Sequence, residues 1–253
     1  MVKKDWLSMR GKVILIIFII ILVNLSFFCA EEEINNFQKG NFYYEQDNFD
    51  KAIEEYNSII NKGLGSGNLY YNLGNCYFKK GDLGRAILNY EKAYRLIPWD
   101  KDLKSNYDYA YSLVKGNIYY KNNFIYRIFD KFTIDGLTIL LTGFYIFSLI
   151  IILIGIILKS AKKICFTFIG FLLIFFILGF VSLFNKINNL HKEGIILAKE
   201  TEVKFEPKES STTYFTLYEG AKVKIIYFQN GWVKIKRGDN KIGWVKRSHL
   251  EVI

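Results

Sequence analysis

The chain has 253 residues, 51% of them hydrophobic and 17% aromatic, and a formal net charge of +10. That length holds one or two modest domains, and so much apolar content points to membrane-crossing segments rather than one large soluble core. The charge argues against a nucleic-acid binder. Much of the excess flanks hydrophobic runs (Lys3, Lys4, Arg10 and Lys12, then Lys159, Lys162 and Lys163) instead of gathering on one folded face.

Residues 1–30 pair a basic start with an apolar run from Val13 to Phe28 and then an abrupt acidic stretch. This is the layout of a signal peptide or signal anchor. Cleavage after Ala30, lipidation at Cys29 and an uncleaved anchor are the three alternatives, and each sends the following residues across the membrane. Cys29, Cys76 and Cys165 form no CxxC and have no metal-ligand spacing, so neither a metal, a cofactor nor a structural disulfide is expected. Cys76 reads as a buried, inert thiol.

Residues 31–115 carry an internal repeat. Gly40, Tyr43, Ala52 and Tyr56 recur as Gly74, Tyr77, Ala86 and Tyr90, each 34 positions on (40 to 74, for instance). Leu73, Ala93 and Pro98 complete the second copy. The small residues let two helices approach, the tyrosines fill the gap between them, Gly81 supplies a positive-φ turn, and Pro98 ends the second helix. With its 34-residue period the stretch resembles a tetratricopeptide (TPR) repeat. Lys101 to Leu113 fits a capping helix after two repeats.

A linker, 116–136, follows. Phe124, Ile128 and Phe132 share one helical face there, which suits either an amphipathic helix at a membrane surface or a segment packed on the TPR cap. Residues 137–158 and 164–184 are apolar, free of charged residues and long enough to cross a bilayer. The connection at 159–163 is basic and is expected in the cytoplasm. Both flanking regions then face the extracytoplasmic side of a bacterial inner membrane. Charge-free spans disfavour a transporter or channel.

After a second linker, 185–193, the pattern changes at 194–253 to alternating strands. Turns are expected at Glu219-Gly220, Gln229-Asn230-Gly231 and Arg237-Gly238-Asp239-Asn240, and the whole reads as a small closed β-barrel. The opening IILAKETEVKFEP, then YFTLYEG, NGWVKIK and the closing KIGWVKRSHLEVI resemble a bacterial SH3-like (SH3b) domain. The paired Gly231-Trp232 and Gly243-Trp244 are the most specific part. The expected fold class is therefore multidomain: α-helical TPR hairpins, two transmembrane helices and a small SH3-like barrel.

No nucleophile–base pair, phosphate loop or metal cluster is visible, His191 and His249 stand apart, and no catalytic residues are expected. Binding is the better class. Asn41, Asn72, Asn75 and Asn106 recur along the first helices of the repeats. They form either a ladder that grips an extended peptide or a set of surface asparagines, with Tyr44 and Phe78 adding apolar contact. Phe37, Asp102 and Asn106 stand where a carboxylate-binding TPR has cations, which disfavours a terminal carboxylate as ligand. In the barrel, Phe215, Tyr218, Trp232 and Trp244 form the expected ligand face, with Tyr227 in the core and the two tryptophans partly exposed.

The order of export signal, TPR pair, two membrane helices and SH3b resembles the BatE-type proteins of MoxR–Bat aerotolerance operons. That resemblance implies membrane-anchored von Willebrand factor A-type partners. The SH3b resemblance implies cell-wall peptidoglycan or a second protein as ligand. The sequence thus reads as a non-enzymatic, membrane-anchored scaffold, with a peptidoglycan-binding envelope anchor as the alternative.

Overall fold

The computed structural model describes residues 35–116, 132–157 and 162–253. The expected export segment with Cys29, most of the linker expected to be amphipathic and most of the basic connection lie outside the described residues. The chain divides into two compact units, one ending at Gly65 and one starting at Ser66.

The first unit contains a helical hairpin, α1 (described over 35–45) and α2 (Phe49–Asn61). The chain reverses at Asp47, whose φ is 55°, and the Asn48 side chain caps α2 by accepting from the Lys51 amide. Gly40 is needed for the close approach of the two helices. A Cβ there would lie 2.3 Å from the ring of Tyr56, which is fully buried.

The second unit opens with α3 (Gly67–Lys79), α4 (Leu83–Leu96) and α5 (Lys101–Ser112). The hairpin of α3 and α4 repeats the first: a Cβ on Gly74 would lie 2.6 Å from the Tyr90 ring, as one on Gly40 would press on Tyr56, and Gly81 turns with φ 75° where the first copy has Asp47. Helix starts repeat as well. Asp82 caps α4 at the position matching Asn48, and Asp100 caps α5 at the position matching Ser66 of α3. Each side-chain oxygen satisfies an amide that the first turn would otherwise leave unpaired. Tyr77 and Tyr43 fill the gap between helices less than their sequence position implied. Both are half-buried, beneath Arg85 and Lys51 respectively, and the ring inside each hairpin is Tyr90 or Tyr56.

Helices α6 (Ile134–Ile157) and α7 (Lys162–Asn189) are long and apolar enough to cross a membrane, and they pack against each other. Both exceed the sequence expectation. α7 runs on to Asn189 because FNKINN contains no helix breaker. It stops where His191 adopts φ 61° and the Leu190 amide bonds back to the Lys186 and Ile187 carbonyls.

Seven strands follow: β1 (Glu193–Ile196), β2 (Glu200–Lys204), β3 (Thr213–Tyr218), β4 (Lys222–Gln229), β5 (Trp232–Lys236), β6 (Ile242–Lys246) and β7 (Leu250–Val252). They form one antiparallel sheet in the order β3-β2-β6-β5-β4-β1-β7. The edge strands do not pair with each other, yet Leu217 of β3 and Leu250 of β7 join the same core, so the sheet wraps it without closing by hydrogen bonds. Asn230 and Gly231, with φ 47° and 79°, make the two-residue turn that suits a right-twisted hairpin.

The expected exposures of two barrel aromatics are reversed. Tyr227 is 44% exposed and Trp244 only 6%. A register shift between Ile225 and Tyr227 inserts one residue into β4 and turns Tyr227 onto the outer face, opposite Lys234, which in turn pairs with Trp244. On that face Tyr227 lies edge-on to Trp244 at 5.2 Å and Lys234 lies 5.5 Å from the indole, so the two shield the tryptophan from water.

Candidate functional site

The asparagines expected to line a TPR groove are partly committed to the hairpins. In the first unit the Tyr56 hydroxyl donates to Asn41 Oδ1 at 2.7 Å. In the second, the Tyr90 hydroxyl donates to Asn75 Oδ1, also at 2.7 Å. These are the same bond one repeat apart, and each satisfies the polar end of a buried ring. Asn75 Oδ1 also accepts from Asn106 Nδ2 at 3.1 Å, and Asn106 Nδ2 lies 2.9 Å from the Tyr71 hydroxyl. Asn75, Asn106 and Tyr71 therefore form a connected polar patch on α3 and α5. Asn106 is exposed and Asn72 half-buried, while Phe78 rests edge-on against the exposed Tyr109 at 5.8 Å. In the first unit Tyr44 lies edge-on to Phe49 at 5.6 Å. Cys76 behind the α3 face is fully buried, and burial pushes its thiol up to about 12, which keeps it protonated and inert.

On the sheet, Phe215 and Tyr218 are half-buried. Arg237 lies 4.3 Å from the Phe215 ring centre and Lys115 4.4 Å from that of Tyr218. Two exposed rings that the sequence pattern does not single out, Phe205 and Tyr214, lie beside Phe215. Phe205 packs on Tyr214 at 4.5 Å, and Tyr214 on Phe215 at 5.1 Å. The signal for Tyr214 was the aromatic pair Tyr214-Phe215 at the start of β3, which cannot place both rings in one core because neighbours on a strand point to opposite faces. Trp232 is half-buried at the start of β5. His249 packs its Nδ1 2.7 Å from the Thr201 hydroxyl.

A shared core that no sequence pattern announces joins the helices to the sheet. One hydrophobic core runs from Ile87, Leu88 and Val114 into Ile195, Ile196 and Val223. Helix α4 buries eight residues where α2 buries three, because the sheet covers a second side of α4. The approach is close at Gly84, where a Cβ would lie 3.0 Å from the Ile196 carbonyl oxygen.

Beside this core lies a largely buried charge cluster. Lys222 of β4 bridges Glu91 of α4 at 2.7 Å and Glu193 of β1 at 3.1 Å; Arg95 reaches Glu193 at 2.8 Å and donates to the Ile253 carbonyl at 3.0 Å; the Tyr107 hydroxyl donates to Glu91 at 2.6 Å. Burial works against ionising Glu91, but Lys222, Tyr107 and Arg95 outweigh it and hold its carboxyl below the ordinary range. Burial likewise opposes the charge of Lys222, yet Glu91 and Glu193 raise it above the usual lysine value. Tyr107, buried and facing Glu91, is pushed well up and stays protonated. Lys92 to Glu251 at 3.2 Å and Lys199 to the Gly81 carbonyl at 3.2 Å add bonds at the margin.

Among the described residues no group of His, Cys, Asp and Glu is arranged to hold a metal. A bacterial SH3 domain model matches residues 200–251 and a tetratricopeptide repeat model matches 67–100. β1 lies outside the first of these stretches yet sits between β4 and β7 in the sheet. No curated protein matches the chain. Both matched families are typically binding modules, and they point to protein partners or cell-wall material as what this chain binds.

Proposed function

We propose that the chain is a non-enzymatic scaffold anchored in a bacterial inner membrane. Its TPR region holds a partner protein near the outer leaflet, and its SH3b domain engages cell wall or a second partner. The observation that carries this reading is the docking of α4 onto β1 and β4. Residues before and after the pair of apolar helices share one core, so both must lie on the same side of any membrane the helices cross. A hairpin of spans meets that condition. Its basic connection around Lys159–Lys163 then faces the cytoplasm and the docked head faces outward. Two binding surfaces on one anchored chain raise the effective concentration of one ligand near the other.

Asn72, Asn106 and Phe78 are the groove positions best able to meet a partner, with Asn41 and Tyr44 on the first hairpin. Asn75 contributes by orienting Asn106. The von Willebrand factor A-type membrane proteins implied by the BatE-type resemblance are the proposed partners, in a stress or aerotolerance complex. The exposed rings of Phe205 and Tyr214, continued by Phe215, give the SH3b domain a surface for glycan or peptide, and this favours the envelope anchor as the second reading.

An in-cell photocrosslinker in place of Asn72 tests the scaffold. Capture of a von Willebrand A-type protein, lost on Asn106→Ala, supports it. If position 72 captures nothing while a crosslinker at Tyr214 captures peptidoglycan, the chain is an envelope anchor and the TPR face is not its binding surface.

A further inference from the structure

The turn between α4 and α5 carries an exposed tryptophan that neither binding surface uses. Trp99 is 62% exposed and Leu96 beside it 45%. Trp99 lies edge-on to Phe132, with ring centres 6.2 Å apart and planes at 86°. Phe132 stands two residues before the start of α6. Under the two rings opens a cavity of about 290 Å³, lined among others by Leu96, Pro98, Trp99, Phe132, Thr133 and Gly136.

Most of the cavity lining is apolar. Its polar side chains are turned to helix caps: Thr133 Oγ1 accepts from the Gly136 amide at 2.9 Å, and Asp100 from the Leu103 amide at 2.8 Å. Hydrocarbon fits it better than a polar ligand. Its position names the source. Helix α6 has 24 residues, which at about 1.5 Å per residue span roughly 36 Å, more than the ~30 Å hydrocarbon core. The first turn of α6, where the cavity opens, therefore sits at the boundary between headgroups and acyl chains. Tryptophan is enriched at that depth because its ring is apolar and its N–H polar.

We propose that Trp99 and Leu96 form an interfacial foot of the head: they dip into the outer leaflet beside α6, and the cavity between Trp99 and Phe132 takes a lipid acyl chain. The foot rests on the membrane reading above. It pins the TPR–SH3b head to the bilayer surface at a second point besides the spans.

The test uses the full chain in phosphatidylcholine nanodiscs, made either with plain lipid or with lipid brominated on the upper acyl chain, a short-range quencher of tryptophan. The contribution of Trp99 is wild-type emission minus that of Trp99→Phe, which keeps an aromatic ring on Phe132. The expected result is that brominated lipid removes this contribution, and that Leu96→Trp in the Trp99→Phe chain restores a quenched signal. If both signals are equally bright in the two discs, the foot meets water or protein instead, and the proposal is overturned. Carbonate extraction of native membranes separates the two failures. A chain that washes off overturns the membrane reading itself, whereas a chain that stays while Trp99 remains unquenched overturns only the foot.

Discussion

At the scale of single residues, the repeat positions act through two contacts, one steric and one polar. Gly74 leaves room for Tyr90, which is 1% exposed and has nowhere to move. Alanine favours a helix interior over glycine by about 1 kcal/mol, but a methyl group pressed into the buried ring costs more, about 1–3 kcal/mol. Gly74→Ala is thus expected to lower the thermal midpoint despite its better propensity, as followed by circular dichroism. Asn75 and Asn106 separate stability from binding. Asn75→Ala deprives the Tyr90 hydroxyl of its 2.7 Å acceptor and is expected to cost about 1–2 kcal/mol. Asn106 is exposed, so Asn106→Ala should stay within about 0.5 kcal/mol in the same melts while weakening partner capture. Equal losses from both would mean that Asn106 is structural too. The 34-residue spacing made the glycines and tyrosines legible. The roles of the asparagine oxygens were not legible, because a sequence does not tell whether a polar side chain meets a partner, solvent or the neighbouring helix.

At the scale of elements, caps set where the helices begin. Asn48, Ser66, Asp82 and Asp100 each accept an amide three residues ahead. Asp82→Ala is expected to cost about 1 kcal/mol. Hydrogen exchange should show the loss first in the amides of Leu83 to Ala86, and unchanged exchange there would remove the cap from the account. Strand and turn positions in the sheet were equally readable, since Asn-Gly between alternating runs has few other uses. The register shift in β4 was not readable. KVKIIYFQ alternates acceptably on either side of an extra residue, so only pairing with β5 and β6 decides which face receives Tyr227.

At the scale of the whole molecule, the docked cluster predicts a defined pH window. Glu91 is held below its ordinary value near 4.5, so its contribution is full above that value and is lost as pH falls through the lowered one. Lys222 is raised above its ordinary 10.5, so its contribution is full below 10.5 and is lost as pH rises through the raised value. The contact of α4 with β1 and β4 should therefore be flat between about 4.5 and 10.5 and weaken outside, read as loss of amide protection in Ile195, Ile196 and Val223. Lys222→Met leaves the buried Glu91 and the half-buried Glu193 with Arg95 as the cation between them, and is expected to cost about 3 kcal/mol, more than any substitution above. Should that variant unfold at the wild-type midpoint, the cluster would be a consequence of docking and not a support for it.

The sequence by itself determined what depends on near neighbours: the helical repeat, the two apolar spans, the turn residues and the alternating strands. Each is written in spacing along the chain, and local backbone geometry reads spacing directly. The tertiary structure alone decided which polar groups face inward and which modules touch. Glu91, Glu193 and Lys222 look like ordinary surface charges in sequence, and they meet in a largely buried cluster because β1 and β4 return across more than a hundred residues to cover α4. Burial and pairing of distant charges depend on how the surfaces of separate elements fit. No period along the chain records that fit.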